Sequence, residues 1–158
     1  MHTENKPEQN LASRWKRLGA VLIDGFAAML LSWPYMSHRG VLEVAAESGA
    51  IPLDMMLELA LYGWVVFFVL HAYLLGTYGQ TLGKKLLGIY IVTPEGHKPD
   101  LWAIILKRYA PVAFVAYIPV LGSILPTIDA LFIFRSDKRC VHDMIAGTKV
   151  VDSPPLQV

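Results

Sequence analysis

The chain has 158 residues, enough for one domain; it is 54% hydrophobic and 17% charged, with a mean hydropathy of +0.44. Soluble domains run at about 45–50% apolar and about 25% charged, so this balance points toward a membrane. A net charge of +1 provides no broad basic field and argues against nucleic acid; the single cysteine, Cys140, excludes an internal disulfide, and no cysteine–histidine zinc pattern is present.

Residues 1–13 form a polar arm. The first apolar run covers 18–33, is bounded by Pro34, and has Trp15 and Trp33 near its ends. Counted with these aromatic edges, 15–35 is long enough for the roughly 20 residues a span requires. The "SWPYMSH" that follows offers no small-x-small cleavage site, so an uncleaved helix is expected. A second run, 55–75, is interrupted by Glu58 and His71 and is also long enough. The third region, 101–134, is split by Lys107 and Arg108 and punctuated by Pro111, Pro119, Gly122 and Pro126.

Charge placement sets the expected topology, because short cytoplasmic loops carry the lysine and arginine excess. Lys6, Arg14, Lys16 and Arg17 precede the first run; Lys84, Lys85 and Lys98 follow the second; Arg135, Lys138, Arg139 and Lys149 follow the third region. Between the first two runs Arg39 stands against Glu43, Glu47 and Asp54. This places the N-terminus, 76–100 and the tail inside, and 36–54 outside. The third region then crosses an even number of times or not at all. A hairpin fits: 101–108 along the inner surface, 109–117 entering, "IPVLGS" turning, and 125–134 returning. Its arms are re-entrant or short spans. Irregular backbone at that depth requires shielding by protein or a cavity.

The inner loop contains "IYIVT", closed by the turn "PEGHK", and "TKVV" near the C-terminus has the same β-branched character. The two could pair as a small cytoplasmic ribbon. Leu82, Leu86 and Leu87 with Lys84 and Lys85 suggest a short interfacial helix, leucines toward lipid and lysines toward anionic head groups. The expected fold class is therefore an all-α integral membrane protein. It has two full transmembrane helices, a C-terminal membrane hairpin and a small ribbon, followed by a loose tail at 152–158.

Four stretches give the chain a family likeness: "RLGAVLIDGF", "GQTLGKKLLGIYIV", "LKRYAP" and "RCVHDMIAGTKVV". In this order, flanked by apolar runs, they resemble the RDD family of small bacterial integral membrane proteins, named for an arginine and two aspartates. The likeness covers 14–151. It implies a location in the bacterial inner membrane, with Arg17 and Asp24 as the first two named positions and Asp143 or Asp129 as the third. Members are described as transporters, and sodium/proton exchange has been proposed for some.

Asp24 lies seven residues past Arg17, two turns and about 10 Å along one face, too far for a direct pair. Each needs a partner elsewhere. Asp24 lies about 10 Å above the inner edge, His71 about 6 Å and Asp129 about 9 Å. An unpaired carboxylate at the centre of a span costs at least about 2.5–3.5 kcal/mol, so such groups face a bundle interior or a water cavity. Asp24, His71 and Asp129 are therefore expected to converge, with Tyr62 or Tyr73 as neighbours. The cluster would either carry a cation or proton or simply tie three segments together. At the inner surface, Arg17 pairs with Asp143 and clips the tail, or binds lipid phosphate; Arg108 is a further cation there.

No P-loop, dinucleotide fingerprint or nucleophile elbow is present. His142 and Asp143 are helix neighbours that point different ways, so no enzyme, cofactor or metal is expected. Two functions compete. The leading one is an exchanger of small cations or protons through the Asp24, His71 and Asp129 cluster, which would need a homo-oligomer because two full helices are few to enclose a pathway. The other is a non-transporting module that binds or assists another membrane protein.

Overall fold

The computed structural model describes residues 9–116, 118 and 121–156. The expected entry to the hairpin turn at Tyr117, with Pro119 and Val120 in the turn itself, lies outside these residues, as does the start of the N-terminal arm. The chain is mostly helical, and two of its helices are long and apolar enough to cross a membrane, α1 (Arg14–His38) and α3 (Leu53–Tyr78). Ser13 caps α1 by accepting from the Lys16 N–H at 3.2 Å. The most apolar window of α1 is 6% buried and that of α3 17%. Core helices of a water-soluble fold would be mostly covered, whereas here Val21, Leu22, Phe26, Leu61 and Val69 all face outward. Exposed apolar surface on this scale marks contact with lipid or protein.

Both helices outrun their apolar runs. Pro34 does not bound α1, which continues through it to His38. Proline removes one backbone bond, a loss that spanning helices tolerate where neighbouring groups compensate. Between the two helices lies α2 (Val41–Ser48), with the left-handed glycines Gly40 and Gly49 at its two ends. Gly79 ends α3 in the same conformation, and a Cβ there would meet the Ile91 carbonyl at 2.8 Å.

Thr81 then caps the short α4 (Leu82–Leu86), which lies against α1. The strand β1 (Tyr90–Val92) pairs antiparallel with β2 (Lys149–Val151), with Ile91 opposite Val150. The arm joins this ribbon: the Ala12 N–H donates to the Val150 carbonyl at 2.9 Å, and the Asp152 N–H to the Asn10 carbonyl at 3.1 Å. The tail is pinned as well, the Leu156 N–H reaching the Gly96 carbonyl at 2.9 Å. The tail expected to be loose is thus held at Leu156, which also bridges to His97. Ala12, Ala20, Leu75, Ile89, Ile91, Ile104 and Val150 form the core beneath the ribbon.

Lys107 and Arg108 do not split the third region. α5 (Leu101–Ile104), a π-turn (Ile105–Tyr109) and α6 (Ala110–Ala116) form one continuous helical stretch. The extra residue of a π-turn rotates the helix face. Arg108 is buried while Lys107 is exposed. The second arm, α7 (Leu121–Leu131) with a 3-10 turn (Phe132–Phe134), starts earlier than expected and packs on α6. Gly122 is required there, because a Cβ would collide with the Ala116 carbonyl. A last short helix, α8 (Val141–Ile145), leads into β2.

Candidate functional site

Two polar nodes are built into this frame. The first lies between α1, α3 and α4. Asp24 accepts from the Thr81 hydroxyl at 2.6 Å and from the Gly83 N–H at 2.6 Å, so each carboxylate oxygen has a donor. The His71 ring lies beside it, Nδ1 at 4.0 Å from the carboxylate, and Nδ1 accepts from the Leu82 N–H at 3.3 Å. Three donors at the start of α4, a helix end whose N–H groups would otherwise lack partners, are met by one aspartate and one histidine. Gly83 permits the approach: a Cβ on it would run into the Ala20 backbone of α1.

Asp129 does not join this node. It lies on α7 and faces α8, where it accepts from the His142 N–H at 2.9 Å and pairs with His142 Nδ1. Helical rise fixed its level along the membrane normal but not its direction around the bundle, and α7 packs against α6 and α8. Tyr62 and Tyr73 are not neighbours of Asp24 either: Tyr62 donates to the Leu31 carbonyl at 3.1 Å, and Tyr73 is exposed. Lys84 was expected to reach lipid head groups but is buried, its ammonium 3.4 Å from the Thr81 hydroxyl. The docking of α4 on α1 turns that side inward and leaves Lys85 and Leu86 exposed.

The second node centres on Asp143, which is fully buried. One oxygen pairs with Arg17 of α1 and the other with Arg108 of the π-turn. Arg108 also donates to the Thr148 hydroxyl at 2.6 Å, and Arg17 to the Lys138 carbonyl. The Cys140 N–H donates back to Asp143 at 3.0 Å, so Asp143 caps α8 while holding two guanidinium groups. Burial pushes the Asp143 carboxyl upward, but Arg108 and Arg17 together hold it well below the usual carboxylate range. Burial raises the Cys140 thiol to about 11. Burial and Arg108 push His142 below the ordinary histidine value, against the opposing pull of Asp129 and Asp143.

This arrangement places Arg17 on Asp143 rather than on lipid. It also buries Arg108, so neither arginine presents its charge at the surface. Sequence reading missed Thr81, the Gly83 N–H, Thr148 and the Asp129–His142 pair. It also missed Arg14, which donates to the Ile133, Phe134 and Arg135 carbonyls at 3.1, 3.4 and 3.2 Å and so ties α1 to the chain that follows α7. Thr81 carried a legible signal, as a threonine immediately before a leucine–lysine helix is a capping residue.

The first helix supplying Arg17 and Asp24, the loop capped by Thr81 and the Asp143 segment are joined in one fold, and residues 11–147 match the RDD family. The chain belongs to the RDD family. Its relatives include the uncharacterized protein YckC of Bacillus subtilis strain 168, 31% identical over 147 residues, which cover 91% of this chain and 86% of YckC. An uncharacterized protein of Haemophilus influenzae is 27% identical over 150 residues, 92% of this chain and 81% of its own. No solved structure matches significantly. In this RDD chain the arginine and the aspartate of the first helix serve different nodes: Arg17 reaches the C-terminal segment and Asp24 the loop after α3.

Proposed function

We propose that this RDD chain is a multi-pass protein of the bacterial inner membrane in which the buried charges hold the fold together and do not carry ions. On this reading it is a non-transporting module that binds or assists another membrane protein. Its termini and 76–100 lie in the cytoplasm, and the hairpin α6–α7 dips in and returns. The observation that carries the reading is the state of Asp24. Both of its oxygens are bonded to donors of the same chain. A carboxylate that passes a proton or cation must release its partners, and here release would strand the Gly83 N–H and the Thr81 hydroxyl.

The outward apolar face of α1 is the surface through which a partner helix or lipid would be met. Exposed Lys85 and Lys107 are among the cations that would meet anionic head groups. The Asp143 node argues against catalysis by His142 and Asp143, because a carboxylate fixed between two guanidinium groups is a poor base. The exchanger is the competing reading, and the 4.0 Å approach of His71 to Asp24 inside two apolar helices is what favours it; it would also call for a homo-oligomer.

Proton and monovalent-cation flux in liposomes holding the purified protein separates the two. The expected result is no flux above empty liposomes, and none altered by Asp24→Asn. Flux that is present in the wild type and abolished in a folded Asp24→Asn variant would replace this reading with the exchanger.

A further inference from the structure

We propose that Asp129, Cys140 and His142 form a binding site for a zinc-type divalent ion where α7 meets α8. One carboxylate oxygen, the sulfur and one ring nitrogen lie within 4.8 Å of one another. A tetrahedral zinc ion with ligand bonds of about 2.0–2.3 Å places its ligand atoms roughly 3.3–3.8 Å apart. Shifts below about 1 Å therefore bring this set to bonding geometry. The ion would take the place of the proton between Asp129 and His142 Nδ1; in the bound state the imidazole carries its proton on Nε2, and the thiol proton leaves to solvent.

The donor set selects the ion. Calcium and magnesium require oxygen ligands, whereas a thiolate, an imidazole and a carboxylate together suit zinc. Charge balance allows it: thiolate and carboxylate neutralise a divalent ion, so the occupied site is neutral beside Arg17, whose guanidinium is 3.5 Å from the sulfur. The ligands come from two elements, Asp129 from α7 and the other two from the start of α8. Cys140 is buried, and Asp129 and His142 are partly covered; a water would supply the fourth ligand of a tetrahedral ion. The cysteine–x–histidine spacing alone gave no zinc signature, because the third ligand lies eleven residues upstream of Cys140. An ion held here would tie the hairpin to the segment that carries Asp143.

Cobalt(II) is the probe, added to chelator-treated full-length protein in detergent. The expected result is one cobalt per chain, with a thiolate-to-metal charge-transfer band and tetrahedral visible bands. Zinc would displace it; excess magnesium or calcium would not. Cys140→Ser keeps a good capping residue for α8 and should fold, yet lose the charge-transfer band. His142→Ala and Asp129→Ala should weaken binding by more than about tenfold, the low end of what losing even an outer-shell partner costs. Zinc should raise the melting temperature of the wild type but not that of Cys140→Ser. A folded wild type with no thiolate band, or a Cys140→Ser variant that binds cobalt and gains stability from zinc as the wild type does, would overturn the proposal.

Discussion

Asp143 lies between two cations, and this makes the consequences of removing each partner unequal. Breaking a buried ion pair costs about 3–5 kcal/mol, because a charge is left without a partner. Arg17→Ala leaves Arg108 on the carboxylate and should fall near the lower end. Asp143→Ala strands Arg17 and Arg108 together and should cost more. The double variant should cost less than the sum of the two, and equilibrium unfolding of all three against wild type measures this. The carboxyl is depressed below its ordinary value of about 3.9. Its contribution is therefore fully present above that pH and is lost as pH falls through it toward the folded value. The melting temperature should drop on acidification below about pH 4, and Arg17→Ala should show a smaller drop. Asp24 behaves differently, since its donors are neutral. Asn can still accept from the Gly83 N–H and meet the Thr81 hydroxyl, so Asp24→Asn should cost about 1 kcal/mol, and Asp24→Ala about 1–3 kcal/mol because donors are left unpaired. Residue chemistry in the sequence identified which groups needed partners, Arg17 and Asp24 among them. It did not identify Asp129's partner, because depth along a helix is read from residue number and direction around it is not.

Helix contacts are where backbone approach decides stability, and two glycines give opposite expectations. Gly83 has the Ala20 backbone against the position of its missing Cβ, whereas Gly25 has open space. Gly83→Ala should separate α4 from α1, lengthen both Asp24 bonds and lower the melting temperature markedly. Gly25→Ala sits within α1 and should be neutral or stabilising by up to about 1 kcal/mol. Melting of the two variants in the same detergent gives the comparison. Long apolar runs made α1 and α3 legible, and β-branched clusters marked the segments that pair as β1 and β2. Boundaries were less legible. Pro34 lies inside α1, and the π-turn carries the helix through Lys107 and Arg108. A charged pair reads as an interruption when its side chains are assumed to need water. Here Arg108 has Asp143 and Thr148 instead, and those partners lie 35 and 40 residues further on.

Across the described residues, three of the polar joints serve one end of the bundle. Asp24 ties α4 to α1, Asp143 ties α8 to α1 and the π-turn, and Arg14 ties α1 to the chain that follows α7. The ribbon and residues 10–12 cover the same end. The opposite end has an ion pair at 2.8 Å between Arg39 and Glu58, both exposed, and exposed pairs hold helices together only weakly. On the proposed topology this polar, tightly joined end faces the cytoplasm and the segment carrying α2 lies outside. Single cysteines at exposed positions 37, 94 and 154, introduced in a Cys140→Ser background, report on this directly. In intact cells an impermeant thiol reagent should label Ser37→Cys and leave Pro94→Cys and Pro154→Cys unlabelled until the membrane is opened. Labelling of Pro154→Cys from outside, with Pro94→Cys protected, would contradict the returning hairpin and place the Asp143 node on the wrong side of the membrane for Arg17 to reach.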